Sequence, residues 1–559
     1  MRPVGMKSCQ QEVRKFYSDR NGQSRRASEV ILCLCFHMKE IRTYDVCIVG
    51  AGASGGTLAA YLARKGVDTV VVEGGPHVNT HSAFNTHGMP FEFPNRSIPT
   101  MKAGVAGFDS ERSRGVGGKS LLWNAVSWRM SQRDFKGRDH DGGAGENWPL
   151  NYADMATYYD QVESEVGVCG SRDGLEDLPD GIFLPPVPMK CSDELIRRGA
   201  EKLGVRVIHV RKATRSIPGN GRPACHFCGN CMAGCDVAAK YNSYDAHMKP
   251  ALKTGKLEIV PNAVVREVMV SAENRATGVR YINRETRAEG EVRARTVVVS
   301  CACVQSVALL MMSKSRLYPT GLANSSGQLG KHFIPHFTGG VQAFLHELTG
   351  KPVTNDEGFL DHAYVPSFMH SRKRDYARSF GMQFNYQNRR SVGWARAIPG
   401  FGRGYKEAVK GRYPAFVVMS PYGEMLPNPE SFIDLDQTKP DGYGLPTARR
   451  HVKWGANDLK IFADMNHWAV RILEEAGAEI LSISDTPMPN HELGGARMGS
   501  DPRTSVVNRD CRTHDVPNLY LVDGSVFPSA SEKNPTLTFM ALAARAADHL
   551  AGRLKAGDV

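Results

Sequence analysis

Tyr44–Val49 is a short apolar stretch that runs directly into Gly50-Ala51-Gly52-Ala53-Ser54-Gly55. A helix-forming stretch, Gly56–Lys65, follows, and then a second apolar stretch, Thr69–Val72, that ends at Glu73. The order is strand, G-x-G-x-x-G turn, helix, and strand closed by an acid. Gly50 permits the tight turn, Gly52 admits a pyrophosphate to the backbone, and Gly55 lets the helix pack on the strand. The first helical turn, with Ala53 and Ser54, points bare N–H groups at a phosphate. Glu73 is placed to accept from ribose hydroxyls, and an acid there disfavours a phosphorylated ribose. A plain βα turn shares the glycines but not the whole ordered set. The pattern predicts an α/β, Rossmann-like dinucleotide domain.

At 559 residues the chain is too long for one core, so two or more domains are expected. No apolar run reaches the roughly 18 residues of a membrane span. Val30–Phe36 is the longest near the N-terminus, and it lacks a small-residue cleavage site. Residues 1–40 carry eight Lys/Arg against four Asp/Glu, and Met38 directly precedes KEIRTYDVCIVG. They read as a disordered extension or a misassigned start. The net charge of +12 could draw acidic partners or anionic lipid. Its one dense patch, Arg372–Arg412, has eleven Lys/Arg and two Asp/Glu interleaved with aromatics. No nucleic-acid motif accompanies it, so no nucleic-acid partner is expected. It reads either as a docking face or as a solvated surface.

Two further blocks carry polar groups beside glycines. Arg114–Asn124 reads RGVGGKSLLWN, in which Gly117 and Gly118 allow close backbone approach and Ser120 and Asn124 offer polar contacts. Asp485–Leu550 holds His491 just before Gly494-Gly495, then VPNLYLVDGSVFP with Asp523-Gly524, then Asn534-Pro535-Thr536 opening an Ala-rich helix. With the linker NWPLNYADMATYYDQVE (Asn147–Glu163), these blocks make the chain, from Tyr44 to Leu550, resemble the glucose-methanol-choline family of flavin oxidoreductases. The resemblance implies FAD rather than NAD. It also implies that Asp523 and Gly524 approach the pyrophosphate, and that Asn534, Pro535 and Thr536 lie near the isoalloxazine. Lys119 stands where the family usually has Gly, Ser or Thr. Leu122 occupies the place of the histidine that attaches flavin covalently in some members, so dissociable FAD is expected. In Val297–Ser313 the turn carries Ala302 where the family usually has glycine.

Arg222–Tyr241 reads RPACHFCGNCMAGCDVAAKY, placing Cys225, Cys228, Cys231 and Cys235 in a C-x2-C-x2-C-x3-C run with Gly229 and Gly234. Four thiolates on one loop can wrap an iron–sulfur cluster. The spacing is that of the bacterial ferredoxin run, with Asp236 in place of the proline. In ferredoxins the fourth cysteine serves a second cluster, so a [3Fe-4S] or a [4Fe-4S] cluster remains open. Structural zinc usually pairs two CxxC knuckles across a spacer, and no second knuckle is present. Buried free thiols fit a polar, glycine-bearing loop badly. The large subunits of some bacterial sugar dehydrogenases, which the chain also resembles, combine this flavin fold with such a cluster.

The fold class expected is α/β, α+β overall. A Rossmann-like FAD domain spans 41–150, 190–330 and 484–559, with the cysteine loop 222–241 inserted. A sheet-containing substrate domain spans 151–189 and 331–483. Leu459–Ala476 is an amphipathic helix whose Phe462, Met465, Val470 and Leu473 read as core.

Alcohol oxidation needs a group that takes the hydroxyl proton as hydride leaves for flavin N5, and histidine suits the role because it titrates near neutrality. By resemblance His491 is that group. Asn534 holds the second position, a hydrogen-bonding group and not a base, and Asn490 is the candidate substrate contact. The roles of His332 and His336 stay open. The reading is an FAD-dependent dehydrogenase of a sugar, glycoside or sugar acid, with glucoside 3-dehydrogenase as the specific form. Its electrons would leave through the cluster to a small subunit, a cytochrome or another acceptor. The alternatives are an oxygen-using oxidase of the same fold and an electron-transfer subunit without alcohol chemistry. The default location is the cytoplasm, or the periplasm or membrane through a partner that carries the signal.

Overall fold

Val46–Val49 and Thr69–Val72 are buried on both faces, as parallel strands covered by helices must be. The computed structural model describes residues 42–86, 93, 101–103, 113–352, 361–384 and 393–559. The expected extension over residues 1–40 lies outside them, as do Tyr386 and the Arg389-Arg390 pair of the basic patch. Among the described residues the first sheet has seven strands. Leu257–Val260, Thr69–Val72, Thr43–Val49 and Glu289–Val299 lie side by side and parallel. The far edge of Glu289–Val299 is divided. Its first half pairs antiparallel with Ala276–Asn283, and its last three residues pair parallel with Leu519–Leu521. The short strand that precedes Asp523-Gly524 is thereby set one strand away from Thr43–Val49, at the same end of the sheet as the first glycine turn. Loops at the carboxyl ends of parallel strands are where such sheets bind ligands.

Helix Ala53–Arg64 packs against the C-terminal helix Thr536–Ala556, and helix Tyr152–Val166 packs on the same C-terminal helix. Met155, Tyr159, Val162 and Val166 therefore lie in the core of the first sheet. They were expected in the substrate domain. An amphipathic helix goes where its apolar stripe finds cover, and here that cover is the alanine-rich face of Thr536–Ala556.

The second sheet has eight strands among the described residues. Its main path runs Ala478–Ile483, Val341–Leu345, Phe416–Gly423, Phe380–Phe384, Ala363–Val365, Ile208–His209. His336–Thr338 joins the end of Phe416–Gly423, and Met488–Asn490 joins His336–Thr338. Ile208–His209 and helix Cys191–Lys202 thus belong with this sheet, although residues 190–330 were expected wholly in the first domain. Leu195, Ile196, Ala200, Val205 and Val207 pack into its apolar layer.

Alternation sorts the residues of this sheet by face. Phe337, Val341, Phe380, Met382, Phe384 and Met419 turn one way and pack on helix Ala456–Glu475 through Ile461, Phe462, Met465, Ile472 and Leu473. Phe462, Met465 and Leu473 are core as expected, while Val470 is only partly buried. Truncating Met465 to alanine would cost about 2–5 kcal/mol. The other face carries Tyr364, Gln383, Ser420, Tyr422, Thr338, His336 and Asn490, joined pair by pair across the strands. That row of polar and aromatic groups is turned away from the helix.

Candidate active site

The two glycine loops are built against each other. A Cβ on Gly118, whose φ is +53°, would stand 2.7 Å from the Gly52 Cα, and a Cβ on Gly50 would stand 2.3 Å from the Ser300 carbonyl oxygen. Only glycine tolerates those approaches. Gly52 itself is open: a Cβ there meets nothing within 4 Å. A cleft of about 170 Å³ opens beside it, lined by Gly50, Gly52, Glu73, Gly118, Lys119 and Ala302 among others. Bare backbone at the start of helix Ala53–Arg64, open space over Gly52 and an acid at the end of the second strand fit the nucleotide half of FAD.

Several residues expected to touch the cofactor also hold its frame. Glu73 accepts from the Ala51 N–H at 3.0 Å and the Gly75 N–H at 2.9 Å, and burial raises its carboxyl above the usual range. Ser54 Oγ meets Ser300 Oγ at 2.8 Å. Ser120 Oγ donates to the Gly117 carbonyl at 2.5 Å and accepts from the Ser243 N–H at 3.0 Å. Asp523 accepts from the Ser525 N–H at 2.8 Å and from Ser306 Oγ at 2.5 Å, fixing the turn through Gly524. Asn124 accepts from Lys212 Nζ at 2.7 Å and donates to Asp361, so its amide is engaged in a buried polar triad. Pro535 caps helix Thr536–Ala556, and Thr536 is its first residue.

His491 and Asn534 come together, although 43 residues separate them. Asn534 Nδ2 lies 3.2 Å from His491 Nε2, and Gln383 Nε2 donates to Asn534 Oδ1 at 2.6 Å. An amide N–H can only donate, so His491 Nε2 is the accepting nitrogen. Its proton therefore sits on Nδ1, which lies 3.0 Å from His336 Nδ1. The His336 proton is then on Nε2, which is buried without a hydrogen-bond partner among the described residues. Burial first, then His336 and the Lys119 ammonium, hold the His491 imidazole well below its ordinary value. Burial holds His336 down to about 3, partly offset by the Ser531 backbone. Both rings are neutral, and the lone pair on His491 Nε2, held by the Asn534 amide as the site stands, is the one that can take a proton once substrate draws the amide to its own oxygen.

The backbone of His491 is also special. Its φ is +41°, a region costing a non-glycine residue roughly 1 kcal/mol or more, and its N–H is tied to Asn490 Oδ1 at 2.8 Å. Asn490 pairs with His336 across the sheet edge, which brings the expected substrate contact into the polar row. Tyr422 stacks on the His491 ring at 5.6 Å between centroids. His336 was named without a role, and Gln383 and Tyr422 were not singled out by the sequence. The signal available was a glutamine within the apolar strand FGMQF and a tyrosine in SPYG, each at the alternate position of a strand. Gln383 Oε1 and Tyr364 Oη are buried without a hydrogen-bond partner among the described residues.

The cysteine loop is joined to the second glycine loop. Lys240 Nζ donates to the carbonyls of Leu121 at 3.1 Å, Trp123 at 3.0 Å and Cys231 at 2.7 Å. Burial lowers this ammonium to about 8, against the opposing pull of Cys231 and Cys235. Positive φ at Phe227, Gly229 and Gly234 curls the loop. Burial and the neighbouring thiols push Cys228 up to about 11 and Cys225 higher. Four thiols on one loop are the donor set expected for an iron–sulfur cluster. Among the described residues, however, no three Cys, His, Asp or Glu side chains converge closely enough to hold a metal ion.

Residues 67–337 and 427–543 match two models of the family described as GMC oxidoreductase, and residues 43–87 match an FAD binding domain. The fructose dehydrogenase large subunit of Gluconobacter japonicus is 29% identical over 550 residues, covering 93% of this chain and 99% of its own. The 2-methyl-1,2-propanediol dehydrogenase of Mycolicibacterium austroafricanum is 29% identical, with 91% and 95% covered. The gluconate 2-dehydrogenase flavoprotein of Pantoea cypripedii is 25% identical, with 89% and 92% covered. Among solved structures, the pyridoxine 4-oxidase from Mesorbium loti shares the fold at a TM-score of 0.65 and 16% identity, covering 91% of this chain and 99% of its own.

Proposed function

The chain belongs to the GMC oxidoreductase family and is an FAD-dependent oxidoreductase of CH–OH donors; from that premise we propose that it is a dehydrogenase oxidising a ring hydroxyl of a pyranose or glycoside, with glucoside 3-dehydrogenase as its specific form. The observation that carries the reading is the chain of contacts from Gln383 through Asn534 and His491 to His336, beside the polar face of the second sheet.

His491 Nε2 takes the hydroxyl proton of the substrate. Asn534 Nδ2, beside that nitrogen, donates to the same oxygen as its charge develops, and Gln383 keeps the amide turned that way. His336 accepts from Nδ1–H throughout, so the imidazolium that forms retains a partner. Bound FAD supplies the acceptor for the hydride. Tyr422, Ser420 and Asn490 would give a sugar an aromatic neighbour and hydroxyl partners. The relatives named for fructose and gluconate support a sugar-type donor. The words "large subunit" and "flavoprotein" in their names support a small subunit and an external electron acceptor here.

The cysteine loop is proposed to hold an iron–sulfur cluster, supported by four thiols close enough to perturb one another. Since those thiols do not converge as they stand, loading would have to draw them together. Iron and acid-labile sulfide in purified protein, absent from Cys225→Ser, test this part alone.

The test of the main reading is anaerobic titration of purified protein with a panel of hexoses, glycosides and sugar acids, followed by flavin bleaching. Reduction by a glycoside with a 3-keto product supports it. Bleaching only by non-sugar alcohols, or by nothing, rejects it. Stoichiometric peroxide under air would favour the oxidase.

A further inference from the structure

We propose that the excursion Gly393–Ala415, between two strands of the second sheet, docks this protein onto an anionic membrane surface. Phe401 stands at its tip, 93% exposed, between Gly400 at φ +110° and Gly402 at φ +71°. Those two conformations favour glycine and make the turn that holds the ring away from the body. Helix Gly402–Arg412 follows directly. Its Tyr405, Ala408 and Val409 pack on a cluster built from Phe344, Trp394 and Phe416, while Arg403, Lys406, Glu407 and Lys410 face solvent.

A shallow groove of about 800 Å³ runs beside this helix. It is walled by Tyr405, Val409 and Tyr413 and rimmed by Lys351, Lys406 and Lys410. With Arg396 and Arg403, the rim and helix present five exposed cations against one exposed acid, Glu407. A projecting aromatic ring, an apolar trough and a cationic border are the components of interfacial lipid binding: the ring enters the acyl boundary and the cations meet anionic headgroups. An acidic protein would satisfy the cations alone, leaving the ring and the trough without a role. Among the described residues no helix is long and apolar enough to cross a membrane, so attachment through this excursion would be to one leaflet.

The position has a functional sense. Phe416 and Val418, under the excursion, lie on the same face of the sheet as Ser420 and Tyr422, because strand side chains alternate. The docking surface and the candidate active site thus occupy the same side of that sheet.

The test is flotation of full-length holoprotein with vesicles of phosphatidylglycerol and phosphatidylcholine in equal parts, and with phosphatidylcholine alone. Wild type is expected to float with the anionic vesicles at low salt and to be released as salt rises to about 300 mM. Phe401→Ser and the double variant Lys406→Glu/Lys410→Glu should each lower the bound fraction about tenfold, with flavin absorbance retained as the check on folding. Equal flotation of wild type and both variants would mean that the basic N-terminal segment or the overall charge does the binding, and overturns the proposal. So does failure of wild type to float with either vesicle, the result expected if the patch serves an acidic protein.

Discussion

His491 Nδ1 and His336 Nδ1 lie 3.0 Å apart, with their rings set at 87°. Two neutral imidazoles in that relation must share one proton between the facing nitrogens. Since His491 Nε2 is turned to the Asn534 amide, the shared proton belongs to His491. His336 thereby decides which nitrogen of His491 can act as a base.

His336→Leu removes the acceptor of Nδ1–H and lets His491 take the other tautomer. We expect kcat/KM to fall about 10–100-fold, the loss typical of removing a group that orients a functional histidine. His336→Gln, whose amide oxygen can accept the same proton, should recover part of it. His491→Ala should cost about two to four orders of magnitude with FAD still bound. Steady-state kinetics with the flavin spectrum as a loading control separate these outcomes, and a His336→Leu enzyme within twofold of wild type would sink the tautomer argument.

Gln383→Leu releases the Asn534 amide, which is then free to turn its oxygen toward His491. The interaction lost is with the developing alkoxide, so the effect belongs in kcat more than in KM. A fall of about tenfold or more in kcat is expected. A change confined to KM would place Gln383 in substrate binding instead.

Ala302 precedes helix Cys303–Met312 with φ +67° and ψ 153°, a conformation essentially reserved for glycine. Relief of that strain outweighs the extra freedom glycine gives the unfolded chain. Ala302→Gly should stabilise the protein by about 1 kcal/mol, measured by urea unfolding of the holoprotein. Destabilisation would show that the turn is not strained.

Burial holds His336 and His362 down to about 3, while an unfolded imidazole titrates near 6.5. Below pH 6.5 the unfolded chain takes up protons that the folded one cannot. Stability should therefore fall on acidification, by about 1.4 kcal/mol per pH unit for each site, and be insensitive to these groups at higher pH. Thermal unfolding between pH 8 and pH 5 tests the sign, and the His336→Gln/His362→Gln double variant should flatten the slope.

The first glycine turn was legible because its chemistry is local: strand, turn, helix and acid follow one another within thirty residues. The core positions Phe462, Met465 and Leu473 were legible because a helix repeats its buried face within its own sequence. Gln383, Tyr422 and His336 were not. Their meaning comes from contacts across gaps that reach 151 and 155 residues, and nothing near them in the chain names the partner. The layers in which residues 151–166 and 191–209 pack are not named by their own sequence, for the same reason. An apolar stripe says that a helix needs cover, but not which sheet provides it.

Lys240 ties the carbonyls of Leu121 and Trp123 to that of Cys231 through one buried ammonium. The wall of the nucleotide cleft and the cysteine run thus share a common fastening, and neither can be rebuilt alone. Occupancy on one side should be felt on the other as a change in protection from proteases and hydrogen exchange. Were the cysteine run to take up the proposed cluster, whichever group arrived first would prepare the berth of the other.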